Sequence, residues 1–347
     1  MSATPDRHAW SRPEPEQVAP GVLRVPLPLP FDALRAVNVY VLAEAGGLTL
    51  VDGGWTLTTA REILDSALAG SGAAVGDIVR FLVTHMHRDH YTQAVALRRE
   101  TGAQVALGVG ERDSLELMAT RPTPMAAQLA GLRVAGASGL ADEVAGTVPA
   151  PSEDEMADYA LPDRWLVDGE CIGVGDRTLT ALETPGHTRG HLVFEADGEH
   201  EPLLFAGDHV LPHITPSIGF EPDARPGALQ RFLSSLARLR ERPDRQLLPA
   251  HGPVAPSVHA RIDELLDHHD ARLGEIERRV VAGDATALDV AAAMTWTRRE
   301  TKLDDLEGFH QVLAILETDA HLEVLGAQGR VTRAVGDDGV ARHAVGG

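Results

Sequence analysis

The feature that most restricts this chain is the run Thr84-His85-Met86-His87-Arg88-Asp89-His90, which stands at the end of an apolar stretch beginning at Ile78. In extended backbone, residues two apart face the same way, so His85 and His87 can present imidazoles to one ion. Asp89 and His90, past the expected strand end, are free to turn towards a second. Four potential ligands within six residues are costly to place together unless something positive gathers them, and imidazole and carboxylate are the usual donors to zinc and related divalent ions. Three more donors follow other expected strands: His187 in Pro185-Gly186-His187, Asp208 in Gly207-Asp208, and His251 in Pro249-Ala250-His251-Gly252. Each has a glycine beside it, where a small neighbour lets backbone and ion approach. The seven side chains imply a site assembled along one edge of a sheet.

The rest of the chain reads as an α/β protein. Its 347 residues suggest about two domains, and 44% hydrophobic content is enough for a sizeable core. The first 17 residues are polar and proline-bearing, without the apolar stretch of a secretion signal, and read as a flexible arm joining the fold near Val18. Strands are expected at Val37 to Ala43, Leu48 to Val51, Ile78 to Thr84, Gln104 to Leu107, Leu166 to Ile172, Thr178 to Glu183, Leu192 to Glu195, Leu203 to Ala206 and Gln246 to Leu248. Helices are expected at Thr58 to Ala69 and Leu229 to Leu239, and residues 111–160 read as an insertion that covers something. Along Val258 to Val281, Ile262, Leu266, His269, Leu273, Ile276 and Val280 form one helical stripe, able to pack internally or across a homodimer. His269 is the only polar member and reads as a histidine packed at a helix face. After Gly283, three short helices (Ala287 to Met294, Asp305 to Leu316, Asp319 to Gly326) and a hairpin (Arg330 to Val335 with Val340 to Val345) suggest a winged-helix module.

Charge and cysteine usage narrow the function. With 31 Lys and Arg against 51 Asp and Glu, the net charge of −20 repels phosphate polyanions, so a small-molecule substrate is expected and nucleic acid is not. The tail from Gly283 carries six basic and eleven acidic residues, a poor DNA-reading surface, and is assigned to packing, a pocket wall or subunit contact. Cys171, the only cysteine, reads as a small buried residue and asks for no oxidising compartment. No stretch reaches the roughly 18 apolar residues of a membrane span, so the expected location is cytoplasmic and no membrane partner is expected.

At these residues the sequence resembles the metallo-beta-lactamase-fold hydrolases, matching their His-x-His-x-Asp-His motif at 85 to 90 and their later His, Asp and His at 187, 208 and 251. The match runs in order from about Val18 to Gly252. The resemblance implies a four-layer αβ/βα sandwich over residues 18–282, with a small winged-helix-like domain at 283–347 of the kind found in one branch of the family. It implies two metals, zinc being expected and iron or manganese alternatives: His85, His87 and His187 at the first, Asp89, His90 and His251 at the second, and Asp208 bridging them. Asp52, in Val51-Asp52-Gly53-Gly54, matches the family's early Asp-Gly element and is expected to orient a ligand, a turn-forming aspartate being the other reading. His191 is a candidate for substrate contact or for supporting a ligand, with a plain structural role as the alternative; His209 and His213 read as structural.

Two divalent ions ~3.5–4 Å apart can share a water, lower its pKa and hold the hydroxide beside an electrophile. The expected function is therefore a binuclear metal-dependent hydrolase acting on a small ester, thioester or lactone. Asp208 and Asp89 are the expected catalytic carboxylates; the sequence offers no separate proton donor, which leaves Asp89 or a metal-bound water for that role. The alternatives are a phosphodiesterase or endoribonuclease of the same fold, against which the charge and the 43-residue interval between Asp208 and His251 both weigh, and a mononuclear-iron persulfide dioxygenase.

Overall fold

The computed structural model describes residues 6, 8–30, 34–120, 123 and 125–346. Seven strands, β1 (Glu16–Ala19), β2 (Val22–Pro28), β3 (Ala36–Glu44), β4 (Gly47–Val51), β5 (Ile78–Leu82), β6 (Gln104–Gly108) and β7 (Arg164–Leu166), form one sheet in chain order. The first four are antiparallel and the last four are paired parallel. The parallel crossovers carry helices α1 (Thr58–Gly70), α2 (Arg88–Thr101) and, over the expected insertion, α3 (Arg112–Ala119), α4 (Ala126–Val134), α5 (Ser138–Ala145) and α6 (Glu153–Ala157). A second sheet holds β8 (Cys171–Val174), β9 (Arg177–Glu183), β10 (Leu192–Gly198), β11 (Leu203–Gly207) and β12 (Gln246–Pro249) in the order β12-β11-β10-β9-β8. It is backed by α7 (Ala228–Arg240) and α8 (Val258–Ala282). Helices α9 (Ala287–Ala293) and α10 (Gly308–Ala327) and the hairpin β13 (Val331–Val335) with β14 (Ala341–Val345) complete the chain.

Strand alternation generates the layers. On β3, Val37, Val39 and Val41 face helices α1 and α2, while Tyr40 and Leu42 face the other sheet. On β10, Leu192, Phe194 and Ala196 return that contact while Val193 faces α7 and α8. Helices, sheet, sheet and helices therefore stack around three apolar seams, giving the α/β sandwich expected. No helix among the described residues is long and apolar enough to cross a membrane.

Several expectations are corrected. The single strand expected over Leu166 to Ile172 is two strands in different sheets, because the chain turns at Asp168 and Gly169, the latter with φ +77°. Cys171 is exposed: β8 is an edge strand whose Ile172 and Val174 point inward and whose Cys171 points out. The two helices expected at Asp305 to Leu316 and Asp319 to Gly326 are one helix, α10, whose middle residue Thr318 donates its hydroxyl back to the Ala314 carbonyl at 2.9 Å. Helix α2 lacks any expectation from the sequence, and Asp89 and His90 lie in its first turn.

The arm expected over residues 1–17 falls outside the described residues at 1–5 and 7. Farther along it, the Trp10 carbonyl accepts a bond from Arg24, and β1 opens at Glu16. The α8 stripe is taken up inside the chain, Ile262, Leu273, Ile276 and Val280 sharing one apolar cluster with α4, α5, α7, α9 and α10. That cluster crosses Gly283, where the sequence placed a domain boundary.

A file of buried rings runs through the helix layer behind the second sheet. His209 packs on Phe232 with centroids 4.9 Å apart, Phe232 on His269 at 5.6 Å, and His269 on His321 at 5.2 Å. Burial, together with neighbouring imidazoles, holds His209 down to about 3 and His269 to about 2. Burial lowers His321 to about 4 against a bond to the Glu317 carbonyl that opposes it. Unfolded histidine titrates near 6.5, so below that pH the unfolded chain binds more protons than the folded one and stability falls, by up to about 1.4 kcal/mol per pH unit for each ring. We expect denaturant unfolding to show this loss between about pH 6.5 and about pH 4.5, with His209→Phe flattening it. An acid profile identical in the variant would contradict the assignment.

Candidate metal centre

The C-terminal ends of β4, β5, β9, β11 and β12 meet along one edge of the sandwich and deliver the site. Asp52, just after β4, sits at φ +62°, a left-handed conformation uncommon for a residue with a side chain. Its carboxylate accepts the Thr84 backbone N–H at 2.8 Å and the Thr84 hydroxyl at 3.0 Å, and lies 2.9 Å from Nδ1 of His90. The same Thr84 oxygen lies 3.1 Å from Nδ1 of His85 and accepts its proton. One buried carboxylate thus fixes two imidazoles. Asp89 lies in the first turn of α2, where the exposed N–H groups favour a negative charge.

Glycine makes the close approach. A Cβ on Gly207, at φ +49°, would stand 2.7 Å from the His191 ring and 2.8 Å from Thr84. One on Gly186, at φ +148°, would meet the backbone of Phe232 at 2.5 Å, so glycine lets the His187 loop lie against α7.

All seven expected ligands converge. His187 Nε2 lies 3.2 Å from His85 Nε2 and 2.9 Å from His87 Nδ1. His251 Nε2 lies 3.4 Å from Asp89 Oδ2 and 3.3 Å from Asp208 Oδ1. His90 Nε2 lies 3.7 Å from Asp89 Oδ2 and 3.6 Å from Asp208 Oδ1. The other oxygen of Asp208 is 3.4 Å from His187 Nε2, so this carboxylate faces both groups. His85, His87 and His187 form one potential cation cradle and Asp89, His90 and His251 another.

The far side of each imidazole is anchored on an oxygen. His187 Nδ1 donates to the Ser217 carbonyl at 2.7 Å, His87 Nε2 to the Phe220 carbonyl at 2.9 Å, and His251 Nδ1 to the Ala36 carbonyl at 2.8 Å. With His85 on Thr84 and His90 on Asp52, every ring is bonded through its outward nitrogen and turns the other nitrogen inward, the arrangement that orients metal-bound histidine. Three inward atoms, His90 Nε2, His251 Nε2 and Asp208 Oδ1, are buried without a hydrogen-bond partner among the described residues. Buried polar atoms are rarely left so, and a cation between them satisfies all three. The residues fit divalent metal.

Electrostatics follow the same division. Burial, reinforced by neighbouring histidines, drives His85 far below its ordinary range and His187 down to about 3. Burial also opposes a charge on His90, but Asp52, Asp89 and Asp208 override it and raise that ring to about 10. Burial disfavours the charged form of Asp89 and Asp208, yet the adjacent histidines hold both carboxyls below the usual carboxylate range.

His191 is fully buried and does not reach open space. Its Nε2 accepts the Asp208 backbone N–H at 3.1 Å and its Nδ1 bonds the Thr184 hydroxyl at 2.8 Å, while its ring stacks on His85 at 5.0 Å. His209 lies behind it at 5.9 Å, and His213 is exposed. Sequence reasoning missed Glu111, a fully buried carboxyl that takes a hydroxyl proton from Thr188, beside His187, and a backbone bond from Met86, between His85 and His87. Burial pushes it up to about 8. The signal for it is slight: a lone acid after the apolar strand β6.

Comparison with known proteins agrees with this geometry. The family model described as the metallo-beta-lactamase superfamily matches residues 32–251. The chain is 25% identical over 323 residues to "Probable metallo-hydrolase YqjP" of Bacillus subtilis (strain 168), covering 90% of this chain and 94% of that one. It is 24% identical over 259 residues to an atrochrysone carboxyl ACP thioesterase of Aspergillus novofumigatus, covering 74% of this chain and 61% of the relative. The crystal structure of a metallo-beta-lactamase family protein from Thermus thermophilus superposes with a TM-score of 0.75 at 29% identity, over 95% of this chain and all of that one. The converging ligand set and the matched residues lead to one assignment: the chain is a metal-dependent hydrolase and belongs to the metallo-beta-lactamase superfamily.

Proposed function

We propose that this enzyme hydrolyses a small acyl thioester, ester or lactone, with zinc as its native metal and two ions per chain. The observation that carries the reading is Asp208, whose two carboxylate oxygens face different histidine groups, one towards His187 and the other towards His90 and His251. A carboxylate so placed suits two cations better than one. His85, His87 and His187 would hold the first ion, Asp89, His90 and His251 the second, and Asp208 both. When bound, such a pair lowers the pKa of a shared water and polarises the acyl carbonyl.

The chain's own groups supply the rest. Asp89 keeps 15% side-chain exposure, against 8% for Asp208 and 3% for Asp52, and is the carboxylate placed to carry a proton between the site and solvent. The surface beside the His87 anchor is apolar: Phe220, whose carbonyl anchors His87, packs on Phe309 of α10 at 5.7 Å, and Phe309 is 50% exposed. This supports reading the tail from Gly283 as a wall of the acyl site. A thioester is favoured within the class by the thioesterase among the relatives. The net charge of −20 disfavours RNA and other phosphodiesters. The exposed Cys171, without a disulfide partner, fits a cytoplasmic enzyme.

Elemental analysis of purified protein is expected to give about two zinc ions per chain, and a panel of acyl thioesters, esters and lactones to contain a substrate. Asp208→Ala should lower kcat/KM by more than the roughly 100-fold attributable to a supporting residue. Metal-replete protein inert on the whole panel would contradict the proposal; iron in place of zinc, with oxygen uptake on a persulfide, would replace it by the dioxygenase reading. Asp52→Ala, which releases His90 and Thr84 while leaving every ligand atom present, should weaken metal binding about 10–100-fold in competition with a chromophoric chelator. An unchanged affinity would show that Asp52 only shapes the turn.

A further inference from the structure

A second group of metal-type donors lies between α8 and α10, outside the catalytic cluster. One donor atom each from His268, His269 and Glu317 stand within 4.8 Å of one another. The hydrogen bonds behind them fix which atom of His269 is available. The Glu317 backbone carbonyl can only accept, so the 2.7 Å contact to His321 Nδ1 places a proton on that nitrogen. Burial keeps the His321 ring neutral, so its Nε2 is bare, and the 3.1 Å contact there is a bond donated by His269 Nδ1. His269 Nε2 therefore carries a lone pair, in a residue only 1% exposed, with no hydrogen-bond partner among the described residues. A metal-binding histidine is oriented by a bond donated from its other ring nitrogen, and His269 makes that bond to His321. The Arg272 guanidinium, which acts on all three donor groups, is itself held by Glu275 at 3.0 Å and lies over the Trp296 ring at 4.5 Å.

We propose that His269, His268 and Glu317 form a distal site for a borderline divalent transition ion such as zinc, with His321 as the positioning residue of His269. Two imidazoles and one carboxylate suit that class over calcium or magnesium, which prefer all-oxygen shells. A bound ion ties α8 to α10, the helix whose first turn carries Phe309. The site also explains the polar interruption of the α8 stripe.

Equilibrium dialysis of the full-length protein, as purified with its tightly held metal, against increasing zinc tests this directly. The wild type is expected to take up one further ion per chain. His268→Gln and Glu317→Gln, both at partly exposed positions, should each weaken that uptake at least about tenfold. No further ion, or a further ion held equally by wild type and both variants, would overturn the proposal. Imidazole nitrogen NMR of the wild type needs no variant to fold: the His269 Nε2 resonance should shift on adding zinc, and a resonance that stays in place would overturn it equally.

Discussion

Three carboxylates, buried Asp52 and Asp208 and half-buried Asp89, stand within one cluster of imidazoles, and this grouping sets the terms for the rest of the structure. Buried charge is tolerable only beside opposite charge or satisfied hydrogen bonds. Protonation of His90 answers part of the demand, since the three carboxylates raise that ring to about 10. It cannot answer all of it, because burial and mutual repulsion keep His85 and His187 neutral with their lone pairs facing. Divalent cations would resolve the conflict at every one of these atoms.

Holding such a cluster requires rigidity on the outward side of each ring, and the two sheets provide it jointly. His251 is anchored on Ala36 at the start of β3, although it follows β12 of the other sheet. Asn38 on β3 donates its side-chain amide to the carbonyls of Pro249 and Gly252, both at 2.9 Å, and the Tyr40 hydroxyl donates to Pro249 at 2.7 Å. These bonds fasten the His251 loop to the opposite sheet. His87 and His187 take their anchors from Phe220 and Ser217, so the segment before α7 holds one histidine group while β3 holds the other. The left-handed backbone at Asp52 is a local strain that its own bonds to Leu82, Thr84 and His90 sustain.

The seven candidate ligands were legible because each is a side chain of distinctive chemistry at the end of an apolar strand, next to glycine or in a dense run. Their anchors were not, since a carbonyl of Ser217, Phe220 or Ala36 has no signature in the sequence. Thr84 carries no signal of its own either; it matters because Asp52 lies across from it. The layered architecture followed from strand alternation, but its breaks did not. Asp168-Gly169 divides an apolar run between two sheets, and Thr318 continues a helix by bonding back to Ala314 where the polar sequence suggested a gap. Cys171 shows the limit of composition: a residue type usually buried points outward because its neighbours on an edge strand face in. His269 read as an ordinary packed ring, and only the proton arrangement imposed by His321 and the Glu317 carbonyl distinguishes it.

The central claim is that the inward-facing lone pairs of this cluster exist to grip cations. Anomalous diffraction at the zinc edge, from crystals of the purified protein, addresses it most directly. The account predicts two strong peaks about 3.5–4 Å apart, one among His85, His87 and His187, the other among Asp89, His90 and His251, with Asp208 between them. A fully ordered site with no anomalous density, its histidines bonded to water alone, would contradict it.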